Sequence, residues 1–302
     1  MKYFFIVLFL SFKIIYSQQI GDPDFNPQIN NPAYQKNSGS IIFIDEFHNN
    51  FHTKDGRYKP FAELLEKDGY IVKSVNQKFT KEVLSSIKIL VISNPLNEIN
   101  DTNWTLPTPS AFSKEETIEV EKWVSGGGSL FLIADHMPFP GAAGELAAKF
   151  GFLLNNGFAS DTTNPHGQDL FSRNKKTLQS NKLTNGRSVS EFVDSIYTFT
   201  GSAFQIPQDA ESILTFNENF ISLMPDTAWN FTNETPKISV ENWSQGAVKE
   251  HGKGKVVMCG EAAMFSAQLA GNNNIKMGMN TPKAKNNYKL LLNIIHWLDG
   301  IL

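Results

Sequence analysis

The sequence predicts an α/β protein built on an open, mostly parallel sheet flanked by helices. Three observations carry this reading. Short apolar runs end in acidic or polar residues, segments of helical spacing lie between them, and Gly or Asp-Gly punctuates the joins. One stretch breaks the pattern. Residues 155–250 are rich in Asn, Thr and Pro and read as an irregular, β-rich elaboration inserted before the last core strand.

Residues 40–45 (SIIFID) form the first expected strand, whose nearly unbroken apolar run suits burial on both faces. Residues 58–67 place apolar side chains at helical spacing and stop at Asp68-Gly69, because glycine ends helices cheaply. Residues 70–75 and 87–93 are the next two strands, and 94–112 a proline-bearing loop that contains Trp104. Ser113 and Glu116 have capping-box spacing, so a helix opens there and ends at Gly126-Gly127-Gly128. Residues 129–135 (SLFLIAD) are the fourth strand, with a helix over 141–150 behind it. Within the elaboration, 196–199, 211–216 and 237–240 read as short strands. The parallel pattern returns at 254–260. Residues 261–269 are expected to be helical, and 284–298 to form a closing amphipathic helix.

The first residues resemble a secretory signal. One lysine precedes a short apolar run, and Ser17 is a small residue before a polar segment. The expectation is therefore a signal peptide over 1–17, a flexible N-terminal segment over 18–38, and an α/β domain over 39–302, in the periplasm or outside the cell. The run is shorter than the roughly 20 apolar residues of a membrane span, so no span is expected in the mature chain. A net charge of −3 without a lysine or arginine cluster argues against nucleic acid as a partner. The single cysteine, Cys259, excludes an internal disulfide. Oligomeric state is not encoded in any of these features.

In parallel sheets, ligands sit outside the carboxyl ends of the strands. Three expected strands end in chemically loaded sequence: Asp45-Glu46-Phe47-His48-Asn49-Asn50-Phe51-His52, Asp135-His136-Met137-Pro138, and Cys259-Gly260-Glu261. Three of the six histidines lie in the first two, which makes these loops the candidate site. A divalent metal such as zinc would take His48 and His136 with an acid, and lower the pKa of a bound water. Asp45, Glu46, Asp135 and Glu261 are the candidate catalytic carboxylates, dividing acid and base roles if their pKa values are driven apart. Asn49, His52 and His166 are candidate ligand-binding residues. The competing structural reading has the histidines bonding loop backbone and the acids serving helix N-termini. Cys259 echoes a nucleophile elbow, but a lone strand-end cysteine is more often a small buried apolar residue. Gly126-Gly127-Gly128 precedes a strand, so it is a helix stop rather than a phosphate loop. Trp104, Trp229 and Trp243 could stack on sugar rings or anchor loops.

The stretch 45–53 with Gly56-Arg57-Tyr58 and Pro60-Phe61 resembles a bacterial family of unknown function. Gly126-Gly127-Gly128-Ser129-Leu130, Ala134-Asp135-His136-Met137-Pro138-Phe139-Pro140-Gly141 and Gly260-Glu261-Ala262-Ala263-Met264-Phe265 resemble it too. That family is placed in the class I glutamine amidotransferase-like superfamily, which implies a flavodoxin-like sheet over most of residues 40–300. The superfamily's glutaminases carry a Gly-x-Cys-x-Gly elbow. Here the corresponding strand delivers Asp135-His136, so glutaminase chemistry is not expected. The resulting expectation is an exported hydrolase, metal-dependent in its favoured version, acting on a small polar or carbohydrate ligand. Its rival is a noncatalytic cell-envelope module that binds a glycan or a protein.

Overall fold

The computed structural model describes residues 19–165 and 168–302; the expected signal peptide and His166 lie outside the described residues. The first half runs β1 (Gln19–Gly21), β2 (Ile41–Asp45), α1 (Lys59–Lys67), β3 (Ile71–Val75), α2 (Lys81–Ser85), β4 (Ile89–Ser93), α3 (Lys114–Ser125), β5 (Ser129–Ile133) and α4 (Phe139–Ala148). The elaboration contains β6 (Leu153–Leu154), β7 (Phe158–Asp161), β8 (Asp169–Ser172), α5 (Lys182–Asn185), β9 (Ser195–Thr198), β10 (Phe204–Gln205), β11 (Glu211–Thr215), β12 (Phe220–Leu223) and β13 (Lys237–Ser239). The chain closes with β14 (Ser244–His251), β15 (Gly254–Cys259), β16 (Ala267–Ala270), β17 (Ile275–Gly278) and α6 (Asn287–Asp299).

The main sheet has the order β3-β2-β4-β5-β15-β14-β10-β6, with β11 paired to β14. Its first five strands are all parallel. Numbered by chain order among themselves they run 2-1-3-4-5, a doubly wound arrangement that reverses direction between the first and third strands. Beyond β15 every pairing is antiparallel. The sheet is therefore mixed, and the expectation of a mostly parallel one holds only for its central half. The cause is the β14–β15 hairpin, turned at Gly252 with φ +60, which carries an eight-residue strand whose polar sequence hides it.

Alternate residues of the central strands feed two cores. Ile89, Val91, Phe131, Ile133 and Val257 face α1 and α6, while Leu90, Ile92, Leu130, Leu132 and Val256 face α3 and α4. The capping box forms as expected. Ser113 Oγ accepts Glu116 N–H at 3.2 Å, and Glu116 Oε2 accepts Ser113 N–H at 3.0 Å. The helix expected over 261–269 does not form. Glu261 accepts the N–H groups of Ala263 and Met264, closing a single 3₁₀ turn, and β16 then pairs with both β1 and β17. Strand pairing overrides local propensity there.

The flexible segment expected over 18–38 is docked wherever it is described. β1 pairs with β16, Ala33 N–H donates to Asp68 at 2.8 Å, and the Tyr34 hydroxyl donates to Asp299 at 2.5 Å. Phe25, Ile29 and Tyr34 pack on the core, which supplies the burial that the segment's Asn- and Pro-rich composition conceals. Among the described residues no helix is long and apolar enough to cross a membrane.

Candidate functional site

Four parallel strands deliver residues to one cavity of about 200 Å³ at the carboxyl end of the sheet. His52 arrives after β2, Asn94 after β4, Asp135 and His136 after β5, and Glu261 after β15. Phe51, Trp104, Phe139, Phe199 and Trp229 form aromatic walls. Thus His52, Asp135, His136 and Glu261 of the expected set share one space. Asp45, Glu46, His48 and Asn49 do not border it.

Asn94 organises the floor. It sits at φ +49, a left-handed conformation that asparagine tolerates better than most residues. Its Oδ1 accepts Asp135 N–H at 2.9 Å, and its Nδ2 donates to His52 Nδ1 at 3.3 Å. Its backbone N–H reaches Ile133 O, and its carbonyl accepts Phe51 N–H. One side chain thereby ties three strand ends together. Sequence reasoning missed it, although Asn94-Pro95 directly after a strand marks a turn.

The two imidazoles are held by one nitrogen each. His52 accepts from Asn94 at Nδ1, which places its proton on Nε2. Burial, then the charge of Arg57 and the nearness of His136, push its pKa well below the ordinary value, so His52 is neutral. His136 Nδ1–H donates to its neighbour's carbonyl, Met137 O, at 2.7 Å. No described protein atom hydrogen-bonds to Nε2 of either ring. The His136 ring stacks on Phe158 at 4.6 Å and meets Trp229 edge-on at 4.6 Å.

The acids are tied to backbone. Asp135 accepts His136 N–H at 2.8 Å and Ala262 N–H at 3.3 Å. Glu261, only 1% exposed, accepts Ala263 and Met264 N–H. Burial and the charge of Asp135 raise its pKa well above the carboxylate range, against the pull of those two bonds. Gly201 lets the chain pass beneath it, since a Cβ there would meet Gly260 O at 2.4 Å and Glu261 Cγ at 2.9 Å.

The elaboration supplies the rim. A bridge between Thr105 and Thr227, with Ala228 N–H donating to Trp104 O at 2.8 Å, brings the Trp104 and Trp229 loops together. Trp229 has φ +66 and is 55% exposed, and Thr200 also has a positive φ. Backbone strain of this kind gathers at ligand sites. Trp243 packs instead on the core.

The expected metal pair is not assembled. His48 Nδ1 bonds Asp45 Oδ2 at 2.8 Å and Nε2 bonds Glu116 Oε1 at 3.0 Å, leaving no lone pair for a cation. Among the described residues no group of three or more His, Cys, Asp or Glu side chains is arranged to hold a metal ion. Glu46 accepts Lys54 N–H and the Ser74 hydroxyl, and Asn49 makes a turn at φ +46, so both serve the loop. Cys259 is buried, and burial together with Glu261 pushes its thiol pKa well up, which argues against a thiolate nucleophile. It is expected to resist a disulfide thiol reagent in the folded protein and to react fully in urea; rapid labelling without denaturant would contradict this.

No family model matches the chain, and no curated protein matches it either. Among solved structures, the N-terminal domain of mmIFT52 is similar at a TM-score of 0.59 and 13% identity, covering 86% of this chain and 97% of that one. A ThuA-like protein from Bacteroides uniformis is similar at 0.46 and 13%, covering 92% and 95%. A GMP synthase component from Thermoplasma acidophilum is similar at 0.43 and 12%, covering 85% and 92%. At such identities the likeness is one of fold alone.

Proposed function

We propose that the protein binds a small hydroxylated ring of carbohydrate type in the cavity at the strand carboxyl ends. One observation carries the reading: the indoles of Trp104 and Trp229 flank two imidazole edges whose Nε2 atoms bond to no described protein atom. A sugar ring offers C–H faces that pack on indole, and hydroxyls that can both donate to one imidazole and accept from another. Hydrolysis is the second reading, favoured by the raised pKa of Glu261 beside Asp135. In it Glu261 is the general acid and Asp135 the base or nucleophile, with no metal. The backbone bonds that occupy both acids weight binding above turnover.

Titration with neutral methyl hexosides, followed by tryptophan fluorescence, tests this. The expected result is saturable binding, unchanged by EDTA and weakened about tenfold by Trp104→Ala or Trp229→Ala. Release of nitrophenol from nitrophenyl glycosides, lost in Glu261→Gln, would establish the hydrolase instead. Neither binding nor turnover across the panel would reject the carbohydrate reading.

We infer as well that the sheet is flavodoxin-like and the domain glutamine amidotransferase-like without glutaminase chemistry. The 2-1-3-4-5 order supports the first and the state of Cys259 the second. Export remains part of the proposal on the strength of residues 1–17, and fractionation of expressing cells tests it.

A further inference from the structure

One wall of the cavity is a separate three-stranded sheet, β1-β16-β17, and each strand gives it one residue: Gln19, Gln268 and Met277. The register explains why. Gly21 lies opposite Gln268, which lies opposite Met277, and directly opposed residues share a face. Gln19, two residues before Gly21, shares it too. Ile20, on the other face, is 44% exposed.

The wall is fixed in place. Asp22 N–H donates to Ala267 O at 2.8 Å, and Asn280 Nδ2 donates to Asp22 Oδ2 and to Gln268 O, each at 2.9 Å. A Cβ at Gly21 would meet Pro60 Cδ at 2.8 Å, so only glycine lets the strand lie this close to α1. Gln268 is 1% exposed and its Nε2 donates to Ser266 Oγ at 2.7 Å. Its Oε1 is buried with no hydrogen-bond partner. A buried acceptor without a donor costs folding free energy, and a fold retains one where a ligand supplies the donor.

We propose that this wall sets the specificity of the cavity, and that Gln268 Oε1 accepts a hydrogen bond from a ring hydroxyl of the ligand. The inference rests on the reading of the cavity as a site for a hydroxylated ring. It selects ligands with a free hydroxyl at that position over their deoxy or O-methyl analogues.

Gln268→Leu tests it in two measurements. Thermal denaturation without ligand is expected to give an unchanged or higher Tm, because the substitution removes an unmet acceptor. A fall of several degrees would mean a structural role and overturn the proposal. Titration with the methyl hexosides bound by the wild type is expected to show affinity lower by about tenfold or more. Equal affinity in the two proteins would overturn it. If the wild type binds none of the panel while the Tm of the variant holds or rises, the carbohydrate reading fails. The acceptor is then supported as one that serves something other than the fold.

Discussion

His48→Ala is expected to lower the stability of the protein by about 3–5 kcal/mol, the usual consequence of removing one partner from a buried ion pair. His48 is 4% exposed and stands between two carboxylates that it alone bridges. Its rings of contact are apolar: Phe79 at 4.7 Å and Phe112 at 4.5 Å. Without the imidazole, Asp45 and Glu116 face each other's surroundings with no compensating charge and no water to replace it. Equilibrium urea denaturation measures the loss; a change below about 1 kcal/mol would mean the pair behaves like a surface one.

The pH dependence of that loss has a definite sign. Burial opposes charging of His48, but the hydrogen bonds and charges of Asp45 and Glu116 outweigh it and raise the pKa. A raised imidazole contributes its full stability below the ordinary value of 6.5 and loses it as pH climbs through the folded value. Glu116 runs the other way. Burial works against its charge, yet the Ser113 and Phe79 N–H groups and His48 hold it below its ordinary value of 4.5. Its contribution is present above 4.5 and disappears as pH falls through the depressed value. The difference between wild type and His48→Ala should therefore be largest between those limits and shrink on the alkaline side. Taking the difference also removes the separate loss that Glu261, with its raised pKa, imposes as pH rises.

How much of this was legible depends on what each residue answers to. The five parallel strands were readable because each is a short apolar run fed to two cores, a property written locally in the chain. The strand ends were readable for the same reason, and His52, Asp135, His136 and Glu261 do meet in one cavity. Side-chain direction inside a loop has no such period. His48 and His52, four residues apart, would share one face of a helix, but the segment is not helical. Asn49 turns the chain at φ +46, and His48 points to the start of α3 while His52 points to the cavity. The rim was hidden differently. Trp104 and Trp229 are neighbours through a bridge between Thr105 and Thr227, a pairing of long sequence separation that leaves no local mark. Gln19 belongs to an arm whose composition reads as disorder, and its place is set by β16 rather than by itself.

Asn94→Ala should produce the largest combined loss of stability and binding among the cavity residues. The substitution leaves the buried N–H of Asp135 without its acceptor, which costs about 1–3 kcal/mol. It also places alanine at φ +49, where an L-residue pays roughly 1–2 kcal/mol more than in its preferred regions. The sum is on the order of 3 kcal/mol. The functional consequence comes from the other half of the amide. Nδ2 holds His52 Nδ1, and with it the tautomer that presents Nε2–H to the ligand. Releasing that ring and the Asp135 backbone together disturbs two strand ends at once, so binding should fall by more than the tenfold expected for losing either tryptophan. Asn94→Gly separates the two effects. Glycine removes the conformational cost at positive φ while still deleting the amide, so it should recover part of the stability and none of the affinity. If glycine restored binding as well, Asn94 would be needed only for its backbone conformation, and the account of how His52 is oriented would have to be abandoned.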